Sequence, residues 1–63
     1  MIKIFNSAHG NSEARYIALD EVEIRSQKMD YNGKPYILFD HKDFPLGSLR
    51  AEFDGAQWAC DLD

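Results

Sequence analysis

The chain has 63 residues, 44% hydrophobic and 29% charged, with a formal net charge of −4 and one cysteine. That length makes one small β-rich domain, residues 1–63, hiding only about 60% of its unfolded surface, and the lone cysteine excludes an internal disulfide. No apolar run reaches the roughly 18 residues of a spanning helix, and Met1-Ile2-Lys3-Ile4-Phe5 is too short and too quickly polar for a secretory leader, so the expected setting is cytoplasmic.

Met1 to Phe5 reads as a first strand, ended by the polar cluster Asn6-Ser7-Ala8-His9-Gly10-Asn11-Ser12. The next segment has two readings. Ala14, Ile17, Ala18 and Val22 fall on one face of a short helix near residues 12–20, capped by Asn11 or Ser12, whereas Val22-Glu23-Ile24-Arg25 alternates as a strand does. Strands meeting near Asp20-Glu21 are favoured, because the helix would leave Tyr16 and Leu19 outside its apolar stripe.

Asn32-Gly33 predicts a two-residue type I′ turn pairing Tyr31 with Lys34 and Met29 with Tyr36, with Pro35 on a sheet edge. Tyr36-Ile37-Leu38-Phe39 is apolar on both faces, unlike Gln27-Lys28 opposite it, so the second arm runs through the core or a bulge shifts the register. The stretch from Asp40 to Gly47 reads as a loop with Phe44 or Leu46 as a plug over the core. Asp54-Gly55 then predicts a final hairpin with Phe53 opposite Ala56, Ala51 opposite Trp58 and Leu49 opposite Cys60, giving one apolar face. A helix over residues 48–60 competes, but Gly55 in its middle costs about 1 kcal/mol relative to Ala.

The expected fold is mainly β, a small antiparallel sheet of five or six strands curled as a barrel or half-barrel. Its expected core is Ile2, Ile4, Ile17, Leu19, Val22, Ile24, Ile37, Phe39, Leu49, Phe53 and Trp58. Cys60 is expected inside as a small hydrophobe.

No spacing completes a catalytic or metal-binding constellation: His41-Lys42-Asp43 reads as a solvated loop, and no cofactor is implied. Charge is the remaining functional signal. Residues 1–50 balance seven basic against seven acidic side chains, so the net charge of −4 comes from Glu52, Asp54, Asp61 and Asp63. This predicts a non-enzymatic protein-binding regulator or inhibitor that turns an acidic surface, a nucleic-acid mimic in one version, toward a basic partner. The candidate contact residues are Asp20, Glu21, Glu23, Tyr31, Tyr36, Asp61 and Asp63. Tyr is enriched at interfaces, and a homodimer is a further expectation because so small a core gains from a second copy. Size and charge class, not a motif, suggest an accessory protein of the phage or mobile-element kind. The alternative is a small barrel binding single-stranded nucleic acid through Tyr16, Tyr31, Tyr36 and Trp58 with Arg15, Arg25, Lys28, Lys34 and Arg50; acidic residues interleaved with these cations disfavour it.

Overall fold

A computed structural model describes residues 1–9, 13–45 and 47–63. The expectations for Asn11 or Ser12 as a cap and for Leu46 as a plug fall outside the described residues. Six strands form one sheet: β1 (Ile2–Phe5), β2 (Arg15–Ile17), β3 (Glu23–Met29), β4 (Pro35–Asp40), β5 (Leu49–Phe53) and β6 (Trp58–Asp61). Short 3-10 turns occupy Ser7–His9 and Leu19–Glu21. Strands thus stand where the sequence left a helix open over part of residues 12–20, and β5 and β6 replace the competing helix over residues 48–60. No described helix is long and apolar enough to cross a membrane.

The strand order is β2-β1-β6-β5-β4-β3, and the sheet is mixed, not wholly antiparallel as expected. β1 runs parallel to β6, with Ile2 opposite Trp58 and Ile4 opposite Cys60; the other neighbours are antiparallel. The sheet is open, with β2 and β3 as its edges. Yet these edges are joined by residues 18–22 alone. Five gaps of about 4.8 Å would separate them in a flat sheet by about 24 Å, whereas the six Cα steps from Ile17 to Glu23 reach at most about 20–22 Å even without the 3-10 turn that shortens them. The sheet must therefore bend toward its apolar face.

That face holds the core: Ile2, Ile4, Ile17, Ile37, Phe39, Ala51 and Cys60 are buried, with Val22, Phe44, Leu49 and Trp58 packed against them. Leu19 and Ile24, expected inside, are exposed, because the 3-10 turn and the edge strand leave them without a covering layer. Phe44 takes the expected place against the core. Its segment is fastened to the far side of the molecule, where Arg15 of β2 pairs with Asp43 and its guanidinium lies 5.9 Å from the centre of the Phe44 ring.

Both hairpins turn at the expected dipeptides but in different registers. Residues 31–33 form a three-residue loop in which Gly33 donates to the Asp30 carbonyl (3.0 Å), Asp30 donates to the Lys34 carbonyl (3.0 Å), and Gly33 has φ +78°. Asn32 does not adopt the positive φ that a type I′ turn requires. The reason is the Asp30 carboxylate, which accepts from the backbone N–H groups of Asn32 and Lys34, both at 2.9 Å. Met29 therefore faces Pro35 and Lys28 faces Tyr36, one residue from expectation. The anticipated bulge lies at Arg25, between the pairs Ile24–Phe39 and Ser26–Leu38. β3 is the edge, and β4, entered at Pro35, is the inner strand.

In the last hairpin Asp54 acts similarly, its carboxylate accepting from Ala56 (2.9 Å) and Gln57 (2.8 Å). The loop lengthens to residues 54–57, so Phe53 faces Trp58 rather than Ala56, and Glu52 faces Ala59. A slip of two residues preserves which side chains face inward. It also brings the Phe53 and Trp58 rings edge-to-face at 5.3 Å.

With Phe39 fully buried on the apolar face, Phe39→Ala is expected to cost about 3–5 kcal/mol, measurable as a lower urea midpoint, while Ile24→Ala at the exposed edge costs far less.

Candidate functional site

Alternation along β1, β5 and β6 sends Lys3, Phe5, Arg50, Glu52, Ala59 and Asp61 to the outer face. The registers set Lys3 beside Ala59, Ala59 beside Glu52, and Phe5 beside Asp61. Ala59 is the smallest side chain in that row and leaves a hollow between its neighbours. The result is a groove of about 350 Å³ lined by Phe5, Lys34, Arg50, Glu52, Asp54, Ala59, Asp61 and Asp63. All four carboxylates responsible for the net charge are in it.

The two cations of the lining are committed to one acid. Lys34 Nζ lies 3.5 Å from Glu52 Oε2, and Arg50 lies 3.8 Å from Glu52 Oε1 while its guanidinium stacks 4.1 Å from the centre of the Tyr36 ring. Asp54 and Asp61 are instead held by uncharged hydrogen-bond donors. Hydrogen bonds from the Gln57 and Ala56 backbones keep Asp54 below the usual carboxylate range. Asp61 is lowered chiefly by a hydrogen bond from the Ser7 side chain, then by the backbone N–H groups of Asp63 at 3.0 Å and Ser7 at 3.2 Å. These donors hold the two carboxylates as anions, with a smaller attraction from Lys3 and Lys34 at Asp54.

The seven contact candidates are not gathered in one place. Asp61 and Asp63 line the groove; Asp20 and Glu21 sit in the exposed 3-10 turn, and Glu23 opens β3 with Arg25 at 3.4 Å. Tyr31 is 98% exposed at a hairpin tip, whereas Tyr36 lies half-buried under Arg50. Glu52 and Asp54, which the sequence marks only as sources of net charge, and Ala59 join the groove without being among the contact candidates. The alternation of β5 with β6 carried that signal, because residues not facing the core must share the opposite face.

A second hollow, of about 370 Å³, lies beside Phe44, Pro45 and Leu49. In the same segment His41 departs from the solvated loop expected, its side chain being only 1% exposed. Its Nδ1 accepts the Asp43 N–H at 3.1 Å, and its ring lies 5.8 Å from that of Phe44. His41 therefore shapes the turn that carries Asp43 toward Arg15. Asp40, beside it, accepts from the Ser48 hydroxyl and from Arg25 Nε, both at 2.6 Å, tying β4 to the β5 entry and to the bulge. Burial raises the Cys60 thiol above its usual pKa. Among the described residues no group of three or more His, Cys, Asp or Glu could hold a metal ion.

Comparison with protein-family models, curated proteins and solved structures finds no match to this chain.

Asp40, Asp43, Asp54 and Asp61 all have folded-state pKa values below the ordinary one, from hydrogen bonds led respectively by Ser48, Arg15, Gln57 and Ser7. Their stabilising contribution is complete above the unfolded aspartate value and is lost as pH falls through the lowered ones. Thermal melts are expected to hold steady from neutral pH down to about pH 5 and to drop below about pH 4. Asp54→Asn should flatten that acid limb.

Proposed function

We propose that the protein is a non-enzymatic binding module whose outer-face groove receives a basic segment of a protein partner and thereby regulates or inhibits that partner. The observation that carries the reading is the convergence of Glu52, Asp54, Asp61 and Asp63 around the Ala59 floor. A lysine or arginine side chain entering the groove finds three carboxylates, Asp54, Asp61 and Asp63, that no lining cation approaches within ion-pair distance, and an aromatic wall in Phe5. The field of these groups favours cationic partners and lowers the encounter barrier at low salt.

The groove version keeps Asp61 and Asp63 from the wider contact set and leaves Asp20, Glu21, Glu23 and Tyr31 outside the primary contact. Single-strand binding would need free ring faces on which bases stack. Of the four candidate rings, Arg50 lies over Tyr36 and Trp58 packs against Phe53 on the core face, which leaves only Tyr16 and Tyr31 exposed, on the separate elements β2 and the β3–β4 turn, so the protein reading is the better supported.

Calorimetric titration with an arginine- and lysine-rich peptide, repeated across a salt series, tests the proposal. Affinity should fall with salt, drop about fivefold to tenfold in the Asp61→Asn/Asp63→Asn double variant, and be lost in Ala59→Leu, which fills the floor without changing charge. Binding that ignores salt and both variants would reject it.

A further inference from the structure

The geometry points to β3 as a self-association edge, on which a second copy of this chain adds its own β3 in antiparallel orientation. At seven residues β3 is the longest strand, and only one of its sides is paired, with β4. Asp30 donates its N–H to Lys34, so its backbone groups face β4. Alternation then turns the N–H and C=O groups of Met29 and Gln27 away from β4, the row a further strand would use.

The side chains argue for a second copy as the occupant. On the outer face β3 carries Glu23 at its start and Lys28 near its end, opposite Asp40 and Tyr36 respectively. On the other face it carries Ile24 and Met29, which are 41% and 68% exposed. An antiparallel copy related by a two-fold axis at Gln27 brings each Lys28 diagonally toward the partner's Glu23 and each Met29 toward the partner's Ile24. Both faces are therefore complementary to themselves in one orientation, and a parallel strand would oppose like with like. Edge cations ordinarily discourage such pairing. Here Lys28 has an acid to meet, while Arg25 is drawn back to Asp40 at 2.6 Å. This inference does not rest on the groove.

Sedimentation velocity on the full chain, from about ten micromolar to about one millimolar, reads the result. The wild type should pass from monomer to dimer across that range. Lys28→Glu should shift the midpoint about tenfold upward, and the swap Glu23→Lys/Lys28→Glu should restore it, which a merely misfolded variant would not do. Gln27→Pro, which removes an outward N–H, should stay monomeric with unchanged circular dichroism. The Asp61→Asn/Asp63→Asn variant should dimerise as the wild type does, separating this outcome from that of the groove. A wild type monomeric throughout, a dimer indifferent to Lys28→Glu, or a swap that fails to restore association would each overturn the assignment.

Discussion

A single layer of strands has one apolar face and nothing stacked upon it, so this sheet must cover its own core. Two features do so. Residues 18–22 join opposite edges of a six-stranded sheet with too little chain to span it flat, which forces the bend. The segment after β4 then carries Phe44 against the core and is held to β2 by the Arg15–Asp43 pair. Burying a large apolar side chain is worth about 1.5–3 kcal/mol, and seven inward residues drawn from five strands supply most of that gain. A small domain with no disulfide depends on such coverage.

The same alternation that fills the inside sorts the charges outside. Once Trp58 and Cys60 face inward, Ala59 and Asp61 face outward, and the parallel pairing of β1 with β6 places Phe5 against Asp61. The groove is thus a consequence of register: its floor is an alanine between Lys3 and Glu52, and its walls are the carboxylates that the core cannot accept. Backbone donors hold Asp54 and Asp61 in place, so the negative field comes from groups that are already ordered.

Turn positions, strand identities and most of the core were legible in the sequence because they are local. Asp54-Gly55 and Asn32-Gly33 mark the corners, Ile2, Ile4, Ile37 and Phe39 alternate inward, and the mismatch between Tyr36–Phe39 and Gln27–Lys28 signals the bulge. Loop lengths were not legible, since Asp30 and Asp54 each capture two backbone N–H groups and enlarge the turn that the glycine alone would specify. Nor was the β1–β6 pairing, which joins segments more than fifty residues apart and leaves no spacing signature. That pairing decides which acids become neighbours, so only half of the groove's carboxylates, Asp61 and Asp63, could be singled out as contacts in advance. His41 escaped for a similar reason: its burial depends on Phe44 folding over it.

Everything proposed for the outer face requires β1 to lie parallel beside β6. Cross-strand nuclear Overhauser contacts in isotope-labelled protein test this directly. The expected result is a parallel ladder linking Lys3 with Ala59 and Phe5 with Asp61, together with contacts between the Arg15 side chain and the Phe44 ring. A ladder placing β1 against any strand other than β2 and β6, or running antiparallel to β6, would contradict both the bend and the groove.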